Sequence, residues 1–301
     1  MSATVGLDLG GTKLLALCVA DDGAVLARGR RDTGRDTPPA RALALICELV
    51  DALRAEAAVE VTALGLGFPG LVDAPRGVVR SSVMIDGWRD VPFAAEVRGA
   101  TGLPCVIDND VNAAAVAELD LRRRAGEDVT SPDASMLLAA VGTGIGGAIT
   151  FGGRLWRGRS GAAGEVGNMS IDRAGATCWC GRRGCLNTAA SGAALEGAWG
   201  GSGPLRDAWL AGDARALGVV RDGARALGHG LANAVQLLAP TLVALGGGVA
   251  EYGEAWRAEV EATLRAETFP EAMAHCRVEL ARAGYEAGAR GAARLALEAL
   301  A

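Results

Sequence analysis

Short, unbroken apolar runs separated by glycine and aspartate turns open this chain. The runs over Thr4–Asp8, Lys13–Ala20 and Ala24–Arg30 read as three strands, with Gly10-Gly11 turning the first pair and Asp21-Asp22-Gly23 the second. The pattern then changes period. Pro38-Pro39 opens a predicted helix to about Ala57, with Leu43, Ile46, Leu49, Val50 and Leu53 at helical spacing. Val61–Gly67 reads as a buried strand ending in Gly67-Phe68-Pro69-Gly70, and Pro104–Asp108 as another strand. Asn109-Asp110 follows, and then a helix over Val111–Arg124. The first third therefore reads β-β-β-α-β-α-β.

A similar unit then begins again. Ser135–Val141 is a predicted strand, Gly142–Gly147 a turn and Ala148–Phe151 a returning strand. A long helix covers about Ala214–Leu238, Thr241–Leu245 is a strand, and Gly246-Gly247-Gly248 meets a helix over Glu254–Glu267. Gly288–Leu300 reads as a last helix. Two glycine-turned hairpins, each after an apolar strand, suggest an internal duplication with a ligand cleft between halves. The expected division is a small α/β domain over residues 1–115, joined by the terminal helix at about 288–301. A larger α/β domain covers 116–287.

Composition narrows the partners. The 301 residues carry a net charge of −5, and no basic cluster exceeds Arg122-Arg123-Arg124, so neither nucleic acid nor an anionic membrane is an expected partner. The start lacks a basic segment followed by an apolar core, so no signal peptide is expected. Residues 134–153 are uncharged and as long as a membrane span of about 20 residues. Six of them are glycine, however, and the stretch reads as two buried strands around a turn. Three of the seven cysteines cluster at 178, 180 and 185, which suits a metal knuckle in a reducing, cytoplasmic compartment.

The turns carry the candidate chemistry. Asp8 stands at a strand end where a carboxylate can hold Mg2+. Gly10, Gly11, Thr12 and Lys13 offer backbone N–H groups and a cation to phosphate oxygens. A Walker loop needs lysine before Ser/Thr and a helix after it, and here Thr12 precedes Lys13 and a strand follows. Gly142, Thr143 and Gly144 form the second phosphate candidate. They formally begin a G-x-G-x-x-G, but a dinucleotide-binding oxidoreductase would require a helix after Gly147. Asp110 can act as general base towards an attacking hydroxyl or cap a helix, and Asn109 can cap while Asp110 does the chemistry. Cys178, Cys180 and Cys185 supply three thiolates of a tetrahedral zinc site. A fourth ligand is missing from the cluster, and His229 and His275 are remote. Gly246, Gly247 and Gly248 can bring backbone against an adenine or ribose, or simply permit close packing.

Taken together, these residues resemble the ROK family of repressors and sugar kinases. Asp8–Lys13 and Gly142–Gly147 look like its two phosphate motifs, and Asn109-Asp110 like its catalytic corner. Gly161–Gly167 with the cysteine knuckle looks like its signature region, and Gly246–Gly248 like its nucleotide segment. The resemblance implies a duplicated α/β fold of the actin-like ATPase (ribonuclease H-like) type, with two domains around a cleft. It implies ATP and Mg2+, a structural Zn2+, and phosphoryl transfer to a sugar hydroxyl, usually the exocyclic primary one. Asp110 becomes the general base, and Gly70, Met84, Asn109, Glu165, Asn168 and Asn187 face the substrate. A homodimer or homotetramer is expected.

Four residues at three places depart from the family pattern. Asn168 stands where the kinases usually have a histidine serving zinc and sugar, and Asn187 where they usually have a sugar-binding glutamate. Val83-Met84 replaces a Pro-Asn pair found in many members. A carboxylate only accepts hydroxyl protons, whereas an amide also donates. Plain glucose is therefore not expected to be the best acceptor. The resemblance implies a hexose or a hexose-like ring such as a C7-cyclitol, which family relatives with altered sugar sites phosphorylate, with amino sugars alongside. The alternative is a non-catalytic sugar-binding sensor, against which the presence of Asp110 argues.

Overall fold

The computed structural model describes residues 2–300. Contacts gather the chain into two compact units. The first takes Met1–Asp128, Arg157–Ala163 and Tyr285–Ala301, and the second takes Val129–Trp156 and Gly164–Gly284.

In the first unit, β1 (Ser2–Leu9), β2 (Lys13–Ala20) and β3 (Val25–Asp32) form an antiparallel meander. Helix α1 (Pro39–Ala57) follows, and β4 (Glu60–Phe68) pairs in parallel with β1. A small antiparallel sheet of β5 (Leu71–Asp73), β6 (Val78–Ser81) and β7 (Arg89–Val91) comes next. Helix α2 (Phe93–Thr101), strand β8 (Cys105–Asn109) and helix α3 (Asp110–Arg124) complete this stretch. The main sheet runs β3-β2-β1-β4-β8. One side of it packs on the buried stripe of α1, which includes Ile46, Leu49 and Leu53. The C-terminal helix (Ala287–Glu298) lies against β1 and β4 so closely that Gly6 and Gly65 have no room for a side chain. A Cβ at Gly6 would stand 1.9 Å from the Ala289 carbonyl oxygen, and one at Gly65 would stand 1.8 Å from that of Ala292.

In the second unit, β9 (Ser135–Val141) and β10 (Ile145–Phe151) make a hairpin that β11 (Arg154–Leu155) extends. Helices α4 (Asn187–Ala190), α5 (Gly192–Trp199), α6 (Leu205–Leu210) and α7 (Ala214–Leu238) precede β12 (Leu242–Gly246). Then come α8 (Glu254–Glu267), α9 (Pro270–Met273) and β13 (Arg277–Leu280). The sheet runs β11-β10-β9-β12-β13, strand for strand the topology of the first unit's main sheet. The duplication read from the two glycine turns is thus present as two copies of one connectivity.

Three details differ from the sequence reading. The second turn is shorter than Gly142–Gly147, because Gly146 and Gly147 pair with Ala140 and Ala139 and β10 already begins at Ile145. A strand continues past Gly147, as the sequence reading expects, so the helix that a dinucleotide-binding oxidoreductase requires is not there. A 3-10 turn over Gly248–Tyr252 separates the glycine trio from α8. The sheet of β5, β6 and β7 has strands of three and four residues, too short for a periodic signal. Among the described residues no helix is long and apolar enough to cross a membrane, and residues 134–153 form the β9–β10 hairpin and its closing turn.

Candidate active site

The first glycine corner is closed by its own backbone. Gly10 N donates to Lys13 O at 2.7 Å, Thr33 Oγ1 donates to Gly10 O at 2.8 Å, and Thr33 N donates to Thr12 O at 3.1 Å. The N–H of Gly10 is committed to the turn. The carbonyl of Met84 lies beside Gly11, 3.4 Å from where its Cβ would be. Met84 is held there by Ser82, whose Oγ accepts from its N–H at 3.0 Å.

Asp8 and Asp110 meet across Gly67. In the strand register Asp8 is level with Gly67 of β4, and Gly67 with Asp108 of β8. A Cβ at Gly67 would lie 3.4 Å from Asp110 Cα and 3.7 Å from Asp8 Oδ1, so the bare glycine leaves room for both acids. Asp8 rests on Gly288 of the C-terminal helix, where a Cβ would come within 2.6 Å of its carboxyl carbon. Burial raises the Asp8 pKa to about 7. The negative charge of Asp110 adds to the rise, and Lys13 opposes it. Burial also raises Asp110, against the hydrogen bond it accepts from Val111 N at 2.9 Å. Two acids lifted this way make an environment suited to a hard divalent cation.

Asp110 is the first residue of α3 and Asn109 is its cap. Asn109 Oδ1 accepts from Val111 N at 2.9 Å and Asn112 N at 3.1 Å, while its Nδ2 donates to Gly70 O at 3.2 Å. The preceding Asp108 is buried and fully engaged. It accepts from Asn109 N at 2.8 Å, Asn112 Nδ2 at 2.9 Å and Arg157 Nε at 2.7 Å. The strand-to-helix corner that carries Asp110 is therefore held at both ends.

In the second unit, Gly142 N donates to Gly144 O at 2.8 Å, the counterpart of the Gly10 bond. Gly192 N, at the start of α5, donates to Gly142 O at 2.7 Å. Gly246 is level with Ala140 of β9. Gly247, with φ +82°, sits so near the strand end that a Cβ would lie 2.4 Å from Val141 O. Only glycine fits that approach and that backbone. The glycine trio is thus adjacent to the second turn.

Asn187 joins this turn to the loop of Glu165–Asn168. It is buried, its Oδ1 accepts from Ile145 N at 2.7 Å, and its Nδ2 donates to Asn168 Oδ1 at 2.9 Å. Asn168 Nδ2 donates to the exposed Glu165 at 3.4 Å. The Sγ atoms of Cys178, Cys180 and Cys185 lie within 4.8 Å of one another, with Cys180 and Cys185 at 3.5 Å. Thiolates on a tetrahedral zinc are ~3.8 Å apart, so the cluster fits three corners of such a site. A backbone hydrogen bond from Arg182 leads the effects that bring Cys180 down to about 7, while burial pushes Cys185 up to about 12. Trp179, between two of the cysteines, lays its ring edge against Gly144.

Residues 4–299 match the ROK family. The chain belongs to the ROK family. It is 31% identical over 312 residues to a glucokinase of Halalkalibacterium halodurans, covering 95% of this chain and 92% of that one. It is 31% identical over 255 residues to an N-acetylmannosamine kinase of Yersinia pseudotuberculosis, covering 83% and 84%. Among solved structures it resembles a ROK family glucokinase from Streptomyces griseus in complex with glucose and AMPPNP. That match has a TM-score of 0.83 at 34% identity and covers 98% of this chain and 99% of that one.

As a ROK protein the chain has the actin-like ATPase fold with two domains. Within the first unit the structure brings together Asp8, Gly10–Lys13, Gly70, Met84, Asn109 and Asp110. Within the second it brings together Gly142–Gly144, Gly246–Gly248, Glu165, Asn168, Asn187 and the cysteines. Sequence reading missed Asp108, Arg157, Tyr285 and Gly288. Asp108 was signalled only by its place before Asn109-Asp110. The other three lie far along the chain from the groups they touch, and local pattern carries no trace of them.

Proposed function

We propose that this ROK protein transfers the γ-phosphoryl group of ATP to the exocyclic primary hydroxyl of a hexose or a hexose-like ring such as a C7-cyclitol. The broader class is an ATP-dependent sugar phosphotransferase with an alcohol group as acceptor. The observation that carries the finer reading is Asp110, fixed at the first turn of α3 by the Asn109 cap and raised by burial. A carboxylate with a raised pKa is the better proton acceptor, and a positioned base is worth about 10²- to 10⁴-fold.

In this reading the acceptor hydroxyl passes its proton to Asp110 as its oxygen attacks the γ-phosphorus, and ADP leaves. Gly11 and Thr12 in the first unit, and Thr143 and Gly144 in the second, supply N–H donors to phosphate oxygens. Gly246–Gly248 provides backbone for the nucleoside. Asp8 would hold Mg2+, which when bound neutralises charge on the phosphate oxygens. Cys178, Cys180 and Cys185 would hold Zn2+, which ties the knuckle to one shape.

Asn109, Glu165 and Asn168 are assigned to the acceptor's hydroxyls. The amide pair at 168 and 187 supports an acceptor other than plain glucose. Asn187 spends its oxygen on Ile145 and one amide proton on Asn168, so it offers no carboxylate to a diol. A site whose polar groups demand particular partners rejects analogues that leave them unpaired.

A screen of hexoses, N-acetylated amino sugars and C7-cyclitols with ATP, read as ADP release and product mapping by phosphorus NMR, tests the reading. We expect a cyclitol or modified hexose to exceed glucose in kcat/KM, with phosphate on the exocyclic oxygen. No ATP consumption with any acceptor would leave a sugar-binding sensor as the better description.

A further inference from the structure

The turn that leads into the C-terminal helix touches the first glycine corner twice. Lys13 Nζ lies 3.3 Å from the centroid of the Tyr285 ring, over its face. Three residues on, Gly288 forms the surface on which the Asp8 carboxylate rests, with 2.6 Å between its would-be Cβ and the Asp8 carboxyl carbon. Both charged side chains of the Asp8–Lys13 motif are thus seated on one four-residue segment, Tyr285–Gly288.

That segment is itself pinned. Glu286 accepts from Arg28 Nε of β3 at 2.8 Å and from Arg290 NH2, one helical turn on, at 2.7 Å. The turn is therefore tied to the same meander that carries Lys13. Tyr285 is 57% exposed, so its ring is not a core side chain placed to fill space. An aromatic face within about 6 Å of an ammonium attracts it through the ring quadrupole.

We propose that Tyr285 is a positioning residue of the nucleotide site: its ring face holds the Lys13 ammonium at the first phosphate turn, ready for the anionic tail of the donor. Lysine carries its charge on a flexible four-carbon stem, and ordering that stem on binding weakens affinity. A lysine already seated on an aromatic face has lost that freedom beforehand. A cation–π contact takes no oxygen acceptor, so the N–H groups turned away from the ring remain for the donor's oxygens. The inference rests on the kinase reading above, since it needs an anionic ligand at this corner.

The test compares Tyr285→Leu with Tyr285→Phe, measuring the affinity for Mg2+–AMPPNP by calorimetry and KM for ATP and for the acceptor. Leucine removes the π face and phenylalanine keeps it. We expect the leucine variant to lose about fivefold in nucleotide affinity and its KM for ATP to rise about fivefold, with the acceptor KM unchanged. The phenylalanine variant should stay within about twofold of the parent. In a Lys13→Met background, Tyr285→Leu should cost nothing further. Should the leucine variant prove insoluble, Tyr285→Gln gives the same readout. Parent-like nucleotide affinity in the leucine variant, or an equal loss with and without Lys13, overturns the proposal while leaving the kinase reading intact. A parent protein that does not bind Mg2+–AMPPNP overturns both.

Discussion

Arg157 donates to the buried carboxylate of Asp108 at 2.7 Å, two residues before the proposed catalytic base. The pair has a consequence for the corner. Asp108 is buried while the Arg157 side chain is 32% exposed, so losing the arginine leaves an uncompensated carboxylate under Asn109 and Asn112. Arg157→Met is expected to lower kcat about tenfold, the scale at which a small misplacement of a catalytic group is felt, with KM for ATP nearly unchanged. Arg157→Lys should recover part of the loss. Steady-state kinetics beside a melting curve checks this, and an unchanged kcat in the methionine variant contradicts it.

Asp8 gives the metal-free protein a pH dependence. Its folded pKa of about 7 lies above the ordinary 3.8, so the folded state binds the extra proton between those values. Stability from this group is full below pH 3.8 and is lost as pH rises towards 7. Asp8→Asn removes the dependence. The variant is expected to melt a few degrees higher than the parent at pH 8 and without Mg2+, and at about the parent's temperature near pH 4. Its kinase activity should be lost. Equal melting temperatures at pH 8 would contradict the shift.

Asn187 and Asn168 make separable predictions. Asn187→Ala leaves Ile145 N–H without its side-chain acceptor beside the second turn, at a cost of about 1–3 kcal/mol. We expect a lower melting temperature and a higher KM for both ATP and acceptor. Asn168→Ala leaves that bond intact, so only the acceptor KM should rise. Titrating each substrate in both variants distinguishes them, and a rise confined to ATP in Asn168→Ala contradicts the assignment.

The three cysteines predict one zinc per chain by elemental analysis. Removing it with a chelator, or replacing Cys180 by serine, should lower the melting temperature by several degrees, because metal binding supplies stability to such small sites. Zinc-free protein with unchanged melting contradicts the cluster's reading as a metal knuckle.

Much of the fold was legible because its signals are local. Asp8 to Lys13 and Val141 to Ile145 each mark an apolar strand, a glycine corner and a returning strand, and the duplicated sheet order follows from that pair. The length of the second corner was misread because Gly146 and Gly147 look like turn residues. They are strand residues, and at Gly147 the glycine is needed because a Cβ would lie 2.4 Å from Gly164 O. The three-stranded sheet was missed because strands such as Arg89–Val91 are too short to show alternation. In the candidate site, the side chains bearing chemistry stood out at strand ends. Their supports did not: Gly6 is explained only by the C-terminal helix, Gly288 only by Asp8, and the seating of Lys13 by Tyr285, contacts that no local pattern encodes.

The central claim is that Asp110 takes the proton from the attacking hydroxyl. Single-turnover phosphoryl transfer by Asp110→Asn, with Mg2+–AMPPNP affinity measured on the same preparation, tests it most directly. We predict a rate at least about 10²-fold below the parent with nucleotide affinity within about twofold. Transfer at the parental rate, with the variant folded and the nucleotide bound, would contradict the account.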